Sequence, residues 1–127
     1  MNIRIVDGLP FIHVTVVFRG KCLHLSDVLI DTGSTGTVFH ADRFAEVGVE
    51  PEPQDVTHLI RGIGGTEFVY SKTLDAICLD DIVLSFFSAE IGLMDYGYPM
   101  DGIIGFDFVR SAGLLIDADK LEVRKAF

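Results

Sequence analysis

Hydrophobic and polar residues alternate along much of this chain with the period of two that is typical of β-strands. One strand is predicted over residues 11–18, followed by a turn over residues 19–21. Its inward face is formed by apolar residues two positions apart, Ile12, Val14, Val16 and Phe18. A second strand is predicted over residues 22–31, and its last part is wholly apolar. Leu121 and Val123 alternate with charged residues, which predicts a terminal strand with one wet face.

Only two short segments have the spacing of a helix. Residues 41–47 and 106–112 each place apolar side chains on one side, and Gly48 and Gly113 follow as predicted helix ends. Short strands with two brief helices predict an all-β fold, either a closed barrel or a sandwich. The length of 127 residues and the lack of a linker predict a single domain over residues 1–127.

Composition excludes several classes of partner and cofactor. Ten Lys and Arg against 19 Asp and Glu give a net charge of −9, which argues against nucleic-acid binding. No apolar run approaches the roughly 18 residues of a membrane span, and the N-terminus lacks the pattern of a signal peptide. We therefore expect a cytoplasmic protein with no membrane partner. Neither metal-ligand spacing nor a phosphate-binding loop is present, and Cys22 and Cys78 are expected to be reduced core thiols.

The segment Asp31-Thr32-Gly33-Ser34 follows the apolar end of the second predicted strand. A carboxylate there leaves a dry strand for a tight turn, and Gly33 allows another backbone to approach closely. The hydroxyls of Thr32 and Ser34 could orient the carboxylate. The same residues equally fit an ordinary Asx turn, in which Asp31 accepts a bond from its own backbone. Two other pairs, Asp7-Gly8 and Asp101-Gly102, are predicted to be ordinary turns.

A second motif, Ile103-Ile104-Gly105, lies about 70 residues after Asp31 and directly before the second predicted helix. Between the two motifs, residues 60–68 favour a β-hairpin with glycines at its tip. An exposed hairpin and a mobile lid both fit these residues, and the position between the two motifs favours the lid.

In this order, the three segments resemble those of the aspartic proteases, in particular the single-domain retropepsin-like type of retroviruses and bacteria. The resemblance implies a closed β-barrel of the acid-protease type that forms half of a two-fold symmetric dimer. It implies that Asp31, Thr32 and Gly33 are catalytic. It further implies that the substrate is bound by residues of the three segments, Ser34, Gly62, Ile63, Gly64, Gly65, Ile103 and Ile104.

Two positions depart from the retroviral pattern. Where viral enzymes have an acidic residue two positions after the motif glycine, this chain has Thr35, and where they have Arg after the second glycine, it has Phe106. The two viral groups form an ion pair, so their joint absence leaves no lone buried charge. Ser34 is closer to the cellular members, in which a serine there bonds the catalytic carboxylate. A bacterial or cellular relative is therefore expected.

Aspartic proteolysis needs two carboxylates that share a proton, and this chain has one Asp-Thr-Gly. The resemblance therefore implies a homodimer in which two Asp31 side chains meet, Thr32 bonds across the axis, and residues 2–6 and 121–127 interleave. The expected function is an aspartic endopeptidase acting on a peptide or protein, without a cofactor. The alternative is a non-proteolytic dimer of the same fold that binds extended peptides by strand addition.

Overall fold

The computed structural model describes residues 1–62, 65–94 and 99–126. The described residues form ten strands and two helices. In chain order, these are β1 (Arg4–Val6), β2 (Leu9–Phe18), β3 (Lys21–Ile30), β4 (Val38–His40), α1 (Ala41–Ala45), β5 (Thr57–Gly62), β6 (Gly65–Leu79), β7 (Ile82–Gly92), β8 (Gly102–Ile104), α2 (Phe106–Ala112), β9 (Leu114–Asp117) and β10 (Glu122–Lys125). The expectation of a fold made mostly of strands, with two short helices, is confirmed.

Eight strands form one sheet in the order β1-β2-β3-β8-β4-β7-β6-β5. The long strand β6 also pairs with β2, where residues 15–17 lie opposite residues 76–78. Most neighbours are antiparallel, but β3–β8 and β4–β7 are parallel. The parallel pairs bring together segments that are far apart in sequence. The pair β3–β8 brings together the two motifs identified above, since Asp31 directly follows β3 and Ile103 and Ile104 lie in β8.

The predicted strands and helices lie where the pattern placed them. In β2 the residues on the inward face are all buried, as period two requires. Helix α2 has the predicted bounds, whereas α1 ends two residues early, at Ala45. Gly48 and Gly113 both have positive φ, so each ends its helix in a conformation that glycine adopts without strain.

Two predictions about side-chain placement are wrong. Leu121 lies in the turn before β10 with φ of 52°, so it does not share a strand face with the fully buried Val123. Cys22 is exposed because Leu23 and Leu25 take the inward positions of β3, and Cys78 is only half-buried because Ile77 and Leu79 take those of β6. A single step in strand register decides which of two apolar neighbours enters the core.

Two aromatic pairs fix the helices against the sheet. Phe44 of α1 stacks on Phe39 of β4 with ring centroids 5.5 Å apart. Phe108 of α2 meets Phe87 of β7 edge to face at 5.4 Å. Phe39, Phe44 and Phe108 are almost completely buried, so they contribute apolar area as well as ring contacts. Helix α2 is thereby held at a fixed place beside the end of β8.

A buried cation, the Lys72 side chain of β6, is surrounded by acidic residues. The Lys72 ammonium contacts Glu52 at 2.5 Å and Asp55 at 2.7 Å, and Arg19 also contacts Glu52 at 2.7 Å. Burial alone would lower the pKa of Lys72, but the bonds to Asp55 and Glu52 outweigh it and raise that pKa. The bonds from Lys72 and Arg19 lower the pKa of Glu52 from 4.5 to about 2. A buried charge with this many partners is stable as an ion pair.

This cluster predicts a pH-dependent stability. Because the pKa of Glu52 is lower in the folded state, its contribution is complete above pH 4.5 and is lost as the pH falls towards 2. We expect the free energy of unfolding of the wild type to fall more steeply over this range than that of a Glu52→Gln variant. Urea titrations at several pH values measure both slopes, and equal slopes would contradict the assignment.

Candidate active site

The two motifs lie side by side because β3 and β8 run parallel. Leu29 is paired with Ile103, and Ile30 with Ile104. Directly after the pairing ends, the backbone N–H of Asp31 donates to the carbonyl of Ile104 at 3.0 Å. The acidic residue therefore leaves the sheet at a position fixed by the second motif.

The Asp31 carboxylate is held by its own turn. Its Oδ1 accepts a hydrogen bond from the Gly33 N–H at 3.0 Å, and its carbonyl accepts from the Ser34 N–H at 3.0 Å. A Cβ at Gly33 would lie 3.2 Å from Oδ1, which is tighter than ordinary contact. The turn is thus an Asx turn, and it leaves Asp31 half-buried while Thr32 and Gly33 are exposed. An oriented, solvent-accessible carboxylate is one that a reacting group could approach.

The Ser34 hydroxyl does not take the role expected for it. It donates to the carbonyl of Gly36 at 2.8 Å and so closes the loop on itself. The carboxylate is oriented by the Gly33 N–H instead. The Gly33 N–H and the Ser34 hydroxyl both lie within three residues of Asp31. The backbone N–H two residues after an Asp is the donor that its carboxylate ordinarily uses in a turn.

The second motif contacts the back of this loop through Gly105. A Cβ at Gly105 would lie 2.4 Å from the carbonyl oxygen of Gly36, so only glycine fits. The next residue, Phe106, donates its N–H to the carbonyl of Ser34 at 2.8 Å. The loop and the start of α2 are therefore in direct backbone contact.

Thr37 and Asp107 complete the support, and the sequence reasoning missed both. The Thr37 hydroxyl donates to Asp107 Oδ1 at 2.8 Å, and its N–H donates to Oδ2 at 3.2 Å. The same hydroxyl oxygen accepts the N–H of Gly105 at 3.0 Å. Thr37 has no exposed surface. An acid in the first turn of a helix was a visible signal, but nothing in the sequence identified its partner 70 residues earlier.

The two isoleucines of the second motif lie in different surroundings. Ile104 is fully buried in the main core, and its carbonyl accepts the Asp31 N–H. Ile103 belongs to a separate small cluster that contains Val38 and Met94, with Leu29 and Met100 packed against it. Leu29 belongs to the end of β3, so this small cluster packs on the strand that leads into the Asp31 loop.

The glycine-rich hairpin is formed by β5 and β6. Gly62 lies opposite Gly65 in register, and the pairing continues to Thr57 and Tyr70. The other two tip residues of the prediction, Ile63 and Gly64, lie outside the described residues. The strands thus have the hairpin pairing expected from the sequence.

Asp101-Gly102 is not the ordinary turn that was predicted. Asp101 exchanges backbone and side-chain bonds with Asp27, and its Oδ1 accepts from Arg43 at 3.0 Å. Gly102 begins β8, and a Cβ there would lie 2.6 Å from the Phe39 ring. Pairing with β3 and β4 outweighed the local preference of Asp-Gly for a turn.

The described part of the chain contains neither a candidate metal site nor a candidate membrane-spanning helix. Over residues 1–62, 65–94 and 99–126, no group of three or more His, Cys, Asp or Glu side chains is arranged to hold a metal ion. No helix among the same residues is long and apolar enough to cross a membrane.

Comparison with known proteins decides the family. The family model described as "Aspartyl protease" matches residues 14–108, which include the Asp31 loop, the hairpin and the second motif. The chain belongs to the aspartyl protease family. No curated protein matches its sequence. Among solved structures, it is similar in fold to a retropepsin-like aspartic protease from Rickettsia conorii, with a TM-score of 0.68, 17% identity, and coverage of 97% of this chain and 95% of that one.

The resemblance to retropepsin-like proteases is therefore confirmed, and the two departures from the viral pattern have a structural counterpart. In this family member, Thr35 is exposed and Phe106 is 51% exposed, so neither position holds a buried charge. The loop is instead bonded to α2 by Thr37 and Asp107. The contact between the loop and α2 is thus made by one carboxylate and two neutral donors.

The close contact at Gly105 gives a matched pair of variants. Gly105→Ala forces a methyl group against the Gly36 carbonyl, whereas Gly36→Ala meets nothing within 4 Å. Overpacking of this kind costs about 1–3 kcal/mol, so thermal unfolding of Gly105→Ala should occur clearly below that of the wild type. Gly36→Ala should unfold near the wild-type temperature. Equal melting temperatures for the two variants would contradict the contact.

The Thr37–Asp107 interaction predicts a second difference. Asp107→Ala leaves the buried Thr37 hydroxyl and N–H without their acceptor, which costs about 2 kcal/mol or more. Asp42→Ala is the matched control, because Asp42 occupies the first turn of the other helix with its side chain 81% exposed. Urea unfolding should show the loss for Asp107→Ala only. A loss of similar size in both variants would assign the effect to the helix dipole instead.

Proposed function

We propose that two copies of this chain form an aspartic endopeptidase, with one Asp31 carboxylate from each copy. The observation that carries the proposal is the Asp31 loop, in which an accessible carboxylate is oriented by Gly33 and supported by the second motif. Family membership supports a proteolytic role. Because the chain has one Asp-Thr-Gly, the second carboxylate comes from an identical molecule.

The mechanism follows from two like charges at short range. Two carboxylates about 3 Å apart share one proton, because both cannot ionise at that distance. The ionised Asp31 takes a proton from a water molecule, whose oxygen bonds to the carbonyl carbon of the peptide bond while the protonated Asp31 donates to the carbonyl oxygen. The C–N bond of the resulting tetrahedral intermediate then breaks, as the amine nitrogen takes a proton from one Asp31 and a hydroxyl returns a proton to the other. The lack of a side chain at Gly33 leaves room for the substrate. We assign Thr32, which is exposed, to a bond across the two-fold axis.

Exposed apolar side chains near the termini support the proposed dimer. Leu115 and Ile116 of β9 are 44% and 37% exposed, and Ile5 of β1 is 48% exposed. Strand β9 pairs only with β10 among the described strands, so its other edge is open. A second copy that covers these residues would remove apolar surface from water and use the open edge.

The remaining predicted residues are assigned to substrate binding. The hairpin of β5 and β6 is proposed to act as a lid that closes over an extended peptide and excludes water, and Gly62, Ile63, Gly64 and Gly65 of its sequence are assigned to contact with that peptide. Ile103 contributes to an apolar subsite with Leu29, so peptides with a large apolar residue beside the cleaved bond are preferred. Ser34 and Ile104 support this site from behind.

A second candidate, peptide binding without cleavage, is favoured by one observation. Strand β5 is the last strand of the large sheet, and it pairs only with β6 among the described strands. Leu59 and Phe68, which lie opposite each other on this hairpin, are 51% and 72% exposed. An open edge with apolar neighbours is a surface to which an extended peptide could add as a strand.

Cleavage separates the two candidates. The protein and an Asp31→Asn variant are incubated with a peptide library from about pH 3 to pH 8, with and without a statine-type transition-state mimic. The endopeptidase proposal expects cleavage by the wild type alone, blocked by the mimic. Intact peptides that nevertheless bind would favour the second candidate.

Mixing the two proteins tests whether the centre is shared. If each centre needs two Asp31 side chains, adding an equal amount of the Asp31→Asn variant to the wild type leaves about half of the activity, because mixed dimers are inactive. Activity that is unchanged by the variant would contradict a shared centre. Sedimentation of the wild type as a monomer at the assay concentration would also contradict a shared centre.

A further inference from the structure

Glu90 of β7 contacts both the base of the hairpin and the Asp31 loop. Its Oε1 lies 3.0 Å from His58 Nε2 on β5, and its Oε2 accepts a hydrogen bond from the Ser71 hydroxyl on β6 at 2.9 Å. Its backbone N–H donates to the carbonyl of Thr37 at 3.0 Å. Three separate parts of the chain therefore meet at one residue.

The contact with His58 restrains a strand that the sheet holds on one side only. Strand β5 pairs with β6, and β6 pairs with β7, so the His58–Glu90 contact passes over β6 to join β5 to β7. The side chains of His58 and Glu90 are 41% and 24% exposed. A partly buried hydrogen bond to a carboxylate contributes more than a pair at the open surface.

The contact with Thr37 continues to the active-site loop. Thr37 is the buried residue whose hydroxyl and N–H bond Asp107, and its hydroxyl oxygen accepts from Gly105. A displacement of Glu90 would therefore act on the carbonyl of the residue that fixes the loop. The described contacts form an unbroken series from β5 through Glu90 to the start of α2.

We propose that Glu90 is a positioning residue that fixes the position of the hairpin relative to the Asp31 loop. The inference rests on the proposed function for its effect on turnover. A hairpin whose base is loose spends less time closed over a substrate, so the competent state is less populated and the apparent affinity falls. In Glu90→Ala, we expect KM to rise about fivefold to tenfold while kcat changes less than twofold.

The experiment uses the chain of 127 residues and two readouts, peptide cleavage and amide hydrogen exchange of residues 57–62 and 37–40. Glu90→Ala and His58→Ala should each speed exchange in residues 57–62, whereas residues 37–40 should stay protected, because alanine keeps the backbone N–H that donates to Thr37. Glu90→Gln is the rescue variant, because its amide oxygen and NH₂ still serve Ser71 and the imidazole. Asp75→Ala is the matched control, since it removes one carboxylate acceptor, for the Gly20 N–H, elsewhere on β6. The Glu90→Gln and Asp75→Ala variants should both behave as the wild type.

The outcomes separate this inference from the proposed function. If the wild type cleaves peptides but Glu90→Ala changes neither KM nor exchange, the positioning role is wrong and the endopeptidase stands. If no variant cleaves but exchange rises as described, the contact series is supported and the endopeptidase proposal fails. If Asp75→Ala or Glu90→Gln matches Glu90→Ala in KM and exchange, general destabilisation explains the effect and the inference is overturned.

Discussion

The hydrogen bond from the Asp31 N–H to the Ile104 carbonyl is the constraint on which the rest of the site depends. It extends the parallel pairing of β3 with β8 by one residue, so the carboxylate emerges where the second motif ends. The pairing joins positions more than 70 residues apart, and neither strand would fix Asp31 alone. Gly105 makes the arrangement possible, because any larger residue would push α2 away from the loop.

The loop keeps its shape with neutral donors and one carboxylate. Thr37 supplies two donors to Asp107, and its hydroxyl oxygen in turn accepts the Gly105 N–H, so the buried hydroxyl both donates and accepts. An ion pair in the same place would bring two charges out of water and would need further bonds to offset that cost. The absence of charge at Thr35 and Phe106 is consistent with this different solution.

The sequence was informative where a pattern is local and uninformative where a contact is remote. The alternation in β2 and the glycine after α2 depend on near neighbours, and both placed their elements correctly. Asp101-Gly102 has the composition of a turn, yet Asp27 and Arg43 bond it from other elements. Asp107 has the visible signal of an acid in the first turn of a helix, but its pairing with Thr37 exists only once β8 and α2 are in place.

The way in which the loop is held bears on the proposed dimer. The Gly33 N–H already orients the Asp31 carboxylate and the Ile104 carbonyl already holds the Asp31 N–H, so the proposed association would not have to order the loop. The termini impose a second condition. Asn2 already bridges Glu122, and Ile3 donates to the Leu121 carbonyl, so one edge of β10 is occupied within the chain. Unless the N-terminal segment is exchanged between copies, a partner strand has to add at the open edge of β9, where Leu115 and Ile116 are exposed.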